Sequence, residues 1–201
     1  MGEIFMTRID IINSYIEKYN YKSYLEIGVH TGVSFGAVVC EKKIGVDPSK
    51  LYDDLTYEMT SDEFFAQNKD TFDIIFIDGL HLSEQVLKDF VNSVNCLNDN
   101  GVIILHDCNP TVEEWQYRTC VVNEWTGDVW KTWYSLMKKF PTYKAFTIDT
   151  DYGVGVFYGN NLRILEINLT NEFEKLTWND LENNRKEWLN LITIEEFKQC
   201  I

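Results

Sequence analysis

The chain holds three histidines, and each stands beside an acidic or glycine-bearing turn. His30 lies in Glu26-Ile-Gly28-Val-His30-Thr31-Gly32, His81 in Asp78-Gly-Leu-His81, and His106 in His106-Asp107-Cys108-Asn109. Imidazoles next to carboxylates can exchange protons near neutral pH, bind a divalent cation, or do both. Each cluster follows a short apolar run, as does Asp47-Pro48 after Ile44-Gly-Val46. In an open parallel sheet, ligands bind beyond the carboxyl ends of the strands, near the point where strand order reverses. Strand tips carrying Glu26, Asp47, Asp78 and Asp107, with the turn Thr60-Ser61-Asp62, therefore define a candidate site. Structural roles compete with this reading. Glu26 can be a surface or helix-pairing acid, Asp47 a turn-forming Asp-Pro, Asp78 and Asp107 caps, and His81 a helix start.

The glycine loop narrows the ligand. A dinucleotide fingerprint needs Gly-x-Gly-x-x-Gly, but counting from Gly28 puts His30 and Val33 at the later positions. No Gly-Lys-Ser/Thr of a phosphate loop follows either. What remains is acid-x-Gly-x-x-x-Gly, in which Gly28 and Gly32 let the backbone turn sharply beside a ligand. Glu26 can accept hydrogen bonds from a cationic amino group. Asp47, twenty-one residues on, can hold both hydroxyls of a ribose. A ribosyl ligand with an amino-acid arm and no pyrophosphate fits, and S-adenosyl-L-methionine is one. His30 and Thr31 share the loop and join the cofactor candidates.

The elements that would position these groups follow from periodicity. Residues 4–19 place Ile4, Ile11, Ile12, Tyr15, Ile16 and Tyr19 near helical spacing. Short apolar strands are expected at Tyr24–Ile27, Lys43–Asp47, Phe72–Ile77 and Val102–Leu105. Helices fall between them at Val33–Cys40, Glu63–Gln67 (capped by Asp62) and Leu82–Leu97. Asn98–Gly101 reads as a turn. This alternation predicts parallel βαβ units. Ala145–Ile148 and Val154–Tyr158 read as an antiparallel hairpin, with closing helices at Trp178–Trp188 and Ile194–Cys200. The expected architecture is a Rossmann-like α/β fold, a mostly parallel sheet flanked by helices with a C-terminal antiparallel hairpin. One domain spans residues 1–201, divided into an N-terminal helix (1–19), a cofactor-binding core (20–110) and an acceptor side (111–201).

Composition excludes several classes. With 201 residues and 45% apolar content, the chain can bury a core, yet no run approaches the ~18 apolar residues of a membrane span. The start, Met-Gly-Glu-Ile-Phe, lacks a secretory signal, and Gly2 opens no myristoylation motif. A net charge of −14 argues against nucleic acid as a partner. The five cysteines show no CxxC spacing, so reduced thiols and a cytoplasmic location are expected.

The runs Tyr24–Gly32, Gly45-Val-Asp47, Phe76-Ile-Asp-Gly-Leu-His81 and Gly101-Val-Ile-Ile-Leu-His-Asp107 resemble the class I S-adenosylmethionine-dependent methyltransferases, in particular the methyltransferase-domain family numbered 24. More distantly they are similar to sugar and catechol-type O-methyltransferases. The resemblance covers about residues 20–110. Outside it, Gly127-Asp-Val-Trp-Lys131 and Asp151-Tyr-Gly-Val-Gly155 look like features of a related subgroup. It implies a cofactor site at Glu26, Gly28, Gly32 and Asp47, with Ser61-Asp62 near the adenine and Asp78 bordering it. It also implies a magnesium or manganese site at Asp78, His106 and Asp107. His106 departs from the usual carboxylate and tilts preference away from magnesium. Leu80 replaces an acid that serves as base in some sugar-modifying relatives, and His81 is its natural substitute.

The function so implied is O-methylation of a sugar, glycan or small hydroxylated metabolite. His81 or His106 would be the base and Asp107 its partner, with or without a metal. The alternative is a non-catalytic adenosyl-binding or protein-interaction module. Trp115, Trp125, Trp130, Trp133 and Tyr134 either line an acceptor pocket or form an aromatic core. Cys108 and Asn109 are acceptor-contact candidates, Cys108 more as a packed residue than a nucleophile. Antiparallel tails of this type favour pairing, so a homodimer is an expectation.

Overall fold

The computed structural model describes residues 5–159, 162 and 170–201. Its strands are β1 (Ser23–Ile27), β2 (Lys42–Asp47), β3 (Tyr57–Glu58), β4 (Phe72–Ile77), β5 (Leu97–Leu105), β6 (Ala145–Ile148), β7 (Val154–Tyr158) and β8 (Leu191–Ile192). Its helices are α1 (Arg8–Tyr19), α2 (Val33–Ala37), α3 (Ser61–Gln67), α4 (Ser83–Asn95), α5 (Val129–Lys139), α6 (Thr170–Phe173), α7 (Trp178–Trp188) and α8 (Ile194–Cys200). The described strands form one sheet in the order β3-β2-β1-β4-β5-β7-β6-β8. The first five pair in parallel, and β7 runs antiparallel to both β5 and β6. Strand order reverses between β1 and β4, so a cleft opens beyond their carboxyl ends.

Two apolar layers cover the sheet, and strand alternation feeds both. Leu25, Ile27, Ile75, Ile77, Ile103 and Leu105 face one side, with Val86, Leu87 and Phe90 of α4 and Trp130, Trp133 and Leu136 of α5. Tyr24, Ile74, Phe76, Val102 and Ile104 face the other, with Ile11, Ile12, Tyr15 and Ile16 of α1 and Phe197 of α8. No helix among the described residues is long and apolar enough to cross a membrane.

Several boundaries differ from those expected of the sequence. Helix α1 begins at Arg8 because Thr7 and Asp10 form a reciprocal capping box there, and Ile4 lies outside the described residues. Thr60, not Asp62, caps α3, since Glu63 stands three residues beyond it and completes the box. Helix α2 stops at Ala37 because Val38 is extended and the Lys43 ammonium takes the Phe35 and Val38 carbonyls at 2.6 and 2.9 Å. The expected turn Asn98–Gly101 is a bulge inside β5: Phe72 pairs with Leu97 and Ile74 with Val102, so only Asp73 opposes the four inserted residues. The hairpin and both closing helices lie where the sequence places them. Helix α5 is an addition to the expected elements. Its buried Trp130 and Trp133 carry the core below the cleft, where truncation to Ala would cost about 3–5 kcal/mol each.

Candidate active site

A cavity of about 960 Å³ lies over the carboxyl ends of β1, β2 and β4. At the glycine-loop end, Glu26 is buried at the end of β1, and its Oε2 accepts a very short hydrogen bond from the Tyr24 hydroxyl. Burial pushes this carboxyl up to about 8; the Tyr24 bond pulls down, Asp78 pushes up and Arg8 pulls down. Such an acid gains most from a cation brought alongside it. Asp47 ends β2 and accepts amide hydrogens from His30 and Ser49, both at 2.8 Å, so it holds the glycine loop in place. Gly28, at φ +91°, has the Asp78 carbonyl only 2.1 Å from where a Cβ would sit. Only glycine lets β1 and β4 converge this closely at the switch point.

Farther along, the Gln85 amide on α4 donates to Ser61, Asp62 and Asp89 at 3.2, 3.1 and 3.1 Å. Asp89 is buried, and burial raises its carboxyl to about 6. These four residues wall the cavity beside Gly79.

The other end is an acid–imidazole centre. Asp78 follows β4, and its Oδ1 meets His106 Nδ1 at 3.2 Å and His81 Nε2 at 3.3 Å. Asp107 follows β5; its Oδ1 meets His106 Nδ1 at 3.2 Å and its Oδ2 meets His81 Nδ1 at 3.1 Å. His81 Nδ1 also lies 3.0 Å from the Trp125 carbonyl, and the two rings stack with centroids 5.0 Å apart. Burial opposes charge on Asp78, His81 and His106. It is outweighed: the histidines hold Asp78 well below the usual carboxylate range, Asp107 and Asp78 hold His106 well above its ordinary value, and Asp78 and Asp107 raise His81. Facing acceptors at both nitrogens, both imidazoles favour the charged form.

Asp78, His81 and Asp107 each offer one ligand atom, all within 4.8 Å of one another. Two carboxylate oxygens and one imidazole nitrogen suit a divalent cation such as manganese better than magnesium. This set differs by one imidazole from the expected Asp78, His106 and Asp107. His106 turns its Nε2 away, to 3.4 Å from both Asp151 and Arg8.

A flap formed by residues 111–128 closes this end, and Asn123, Glu124, Trp125 and Thr126 face the cavity. The flap is tied to the start of α4, where Asp128 accepts from the Ser83 amide at 2.7 Å and pairs with Arg118 at 2.7 Å. A Cβ on Gly127, at φ +56°, would lie 1.8 Å from the His81 carbonyl. That approach presses the flap directly onto the His81 backbone.

Glu26, Gly28, His30, Thr31, Asp47, Ser61, Asp62, Asp78, His81, His106 and Asp107 all line this one cavity. Gly32 does not. It opens α2 with φ +79°, and the Tyr52 ring lies 2.2 Å from where its Cβ would be. Cys108 and Asn109 also stay off the wall. Cys108 is fully buried and its thiol is pushed up by burial, while Asn109 bonds to Arg185 and Asp149 at 2.6 and 3.0 Å. The aromatic segment divides between its two readings. Trp125 lines the cavity and Trp115 packs on Tyr152, whereas Trp130 and Trp133 are core and Tyr134 stacks on Trp188. Sequence reasoning misses Arg8, Gln85, Asp89 and Tyr152, which line the cavity, and Asp151 beside them. Asp151 and Tyr152 belong to the Asp151–Gly155 motif, whose pattern alone assigns them no role. Arg8 gives no signal beyond being a lone cation after a helix cap.

The fold is shared with solved methyltransferases. Solved structures similar to this chain include a Staphylococcus aureus protein described as a caffeoyl-CoA O-methyltransferase, 18% identical over 78% of this chain and 85% of that one, with a TM-score of 0.59. An O-methyltransferase from Bacillus cereus in complex with SAH is 15% identical over 78% and 82%, with a TM-score of 0.53. The O-methyltransferase TomG from Streptomyces achromogenes, in complex with SAM, is 10% identical over 75% and 78%, with a TM-score of 0.56. No curated protein matches the chain. Residues 53–108 match the model of a family described as a methyltransferase domain, the family that the strand-tip motifs resemble. The matched segment contains Asp78, His81, His106 and Asp107.

Proposed function

We propose that this chain is an S-adenosyl-L-methionine-dependent O-methyltransferase acting on a hydroxyl of a sugar, glycan or other small metabolite. One observation carries the reading: Glu26 and Asp47 share a single cavity with Asp78, His81 and Asp107. When bound, the cofactor would supply an electrophilic sulfonium methyl group, with a neutral thioether as the leaving group. Glu26, raised by burial, would take the ammonium of its amino-acid arm, Asp47 the ribose hydroxyls, and Ser61, Asp62 and Gln85, which line the same cavity, would border the adenine.

The acceptor hydroxyl enters between the flap and the strand tips, with the faces of Trp125 and Tyr152 available for stacking on a sugar or planar ring. Its proton passes to Nε2 of neutral His81, whose Nδ1 hydrogen is held by Asp107 and the Trp125 carbonyl. His81 acts as base from its neutral form, so a cation that engages Asp78 and Asp107 favours the reaction by weakening their hold on the imidazolium. Such a cation, held by Asp78 and Asp107, would also lower the pKa of the acceptor hydroxyl. Base assistance of this kind is worth ~10²–10⁴ in rate. A module that merely bound an adenosyl ligand would have no use for an imidazole fixed between two carboxylates.

The test is transfer of an isotopically labelled methyl group from the cofactor into a metabolite and glycan extract, with and without manganese. Label should enter a hydroxyl-bearing compound with the natural chain and not with Asp107→Ala. Equal incorporation by both proteins would overturn the proposed chemistry.

A further inference from the structure

We infer that Arg8, at the start of α1, and Asp151, in the β6–β7 turn, form a positioning pair that fixes His106 and Asp78 and thereby aims His81. The inference rests on the reading of the acid–imidazole centre given above. Arg8 Nη1 pairs with Asp151 Oδ1 at 3.1 Å, Asp151 Oδ1 faces His106 Nε2 at 3.4 Å, His106 Nδ1 faces Asp78 Oδ1 at 3.2 Å, and Asp78 Oδ2 returns to Arg8 Nε at 3.9 Å. Four charges of alternating sign close a ring. Asp78 is thus held from both oxygens, and its Oδ1 is the atom that meets His81 Nε2.

The ring is anchored from three distant parts of the chain. The Arg8 amide donates to Asp151 Oδ2 at 2.7 Å, placing the carboxylate at the positive end of α1. The Thr150 hydroxyl donates to the Met6 carbonyl at 2.7 Å. Beyond them, Asp151, Tyr152 and Gly153 take φ values of +46°, +61° and +88°, a run of left-handed residues that costs free energy wherever the residue is not glycine. The turn is held in that shape by the segment that follows Asp107: the Cys108 amide donates to the Gly153 carbonyl at 3.0 Å, and the Asn109 amide to the Tyr152 carbonyl at 2.8 Å. Asp107 itself sits at φ +60°. Strain and buried charge are therefore concentrated on one point against the site. A buried ion ring is a poor source of stability compared with apolar packing, so geometry rather than stability is what this one supplies. The Arg8 fork matters as well as its charge, because Nε bonds Ser34 at 2.9 Å while Nη1 holds Asp151.

The chain's three histidines make this testable at one fixed pH by the imidazole carbon–proton signals of isotopically labelled protein, with exposed His30 as an internal reference. In Arg8→Ala and Asp151→Asn, the His81 and His106 signals should move while His30 stays, and Arg8→Lys should restore only part of the change. Asp151→Asn keeps a residue that tolerates a left-handed backbone, so it guards against an unfolded variant. In Asp151→Asn, S-adenosylhomocysteine affinity should stay within about threefold of the natural chain, because Asp151 lies off the cavity wall and Glu26 and Asp47 are untouched, while turnover falls at least tenfold at unchanged cofactor KM. His81 and His106 signals unmoved in both variants would overturn the inference. Failure of the natural chain to bind S-adenosylhomocysteine would overturn the functional proposal instead, and the histidine signals would still decide whether the ring positions His81.

Discussion

At the glycine-loop end of the cavity, Asp47 is held by amides two and seventeen residues away. At the acid–imidazole end, His106 meets a guanidinium 98 residues distant, and that guanidinium meets Asp151 across 143. The first end is assembled almost within one βαβ unit, from a strand tip, a glycine turn and the next strand. The second needs the N-terminal helix, the tips of β4 and β5, the flap and the C-terminal hairpin to arrive together. Local construction suits a ligand whose shape does not change. On the proposed function, long-range construction would let flap and hairpin set the acceptor while the cofactor end stays constant.

Substitutions at the two ends should therefore fail differently. The largest effect is expected for Asp107→Ala, which removes one of the two carboxylates orienting His81: turnover falls ~10²–10⁴-fold, while calorimetry with S-adenosylhomocysteine changes little. A parallel loss of cofactor affinity would erase the distinction between the ends.

Next is Gly127→Ala. With φ at +56° and the His81 carbonyl 1.8 Å from the new Cβ, strain of about 1–3 kcal/mol or displacement of the flap follows. Thermal unfolding should come earlier and turnover should drop, again with cofactor affinity retained. An unchanged melting point and rate would mean that the flap does not press on His81.

Glu26→Gln probes the opposite end. A lost charge-assisted bond is worth about 1.5–3 kcal/mol, roughly tenfold or more in affinity by titration calorimetry. The same variant carries a pH signature. A carboxyl raised to about 8 in the fold favours the protonated form, so its stabilising share is full at low pH, below the ordinary glutamate range, and is lost as pH rises through about 8. The ligand-free natural chain should lose stability relative to Glu26→Gln as pH rises from 4.5 to about 8. A constant difference across that range would contradict the burial argument. The smallest effect is expected for Cys108→Ala, which touches no cavity surface: turnover within twofold and a stability cost of about 1 kcal/mol.

The same contrast explains what the sequence can reveal. Strand alternation, the glycine turn and Asp47 are local patterns, so β1, β2, β4 and the cleft they create are legible. So are Asp78, His81, His106 and Asp107, because each stands at or just beyond the end of a strand that can be recognised by its apolar run. The hairpin is legible by its alternation, but not the docking of its turn beneath His106, which depends on contacts with residues 6–8 and 107–109. Arg8 has no local mark of its role. Gln85 and Asp89 point into the cavity from a helix whose sequence pattern marks only its apolar face. The cluster with ligand spacing holds His81 where the sequence suggests His106, whose second nitrogen faces groups that only the fold brings near.

The central claim is that the carboxylates of β1 and β2 grip an adenosyl cofactor. Titration calorimetry of the ligand-free chain with S-adenosylhomocysteine tests it most directly. The account predicts saturable 1:1 binding that weakens at least tenfold in Asp47→Ala. No heat from the natural chain, or equal affinity in Asp47→Ala, would contradict it.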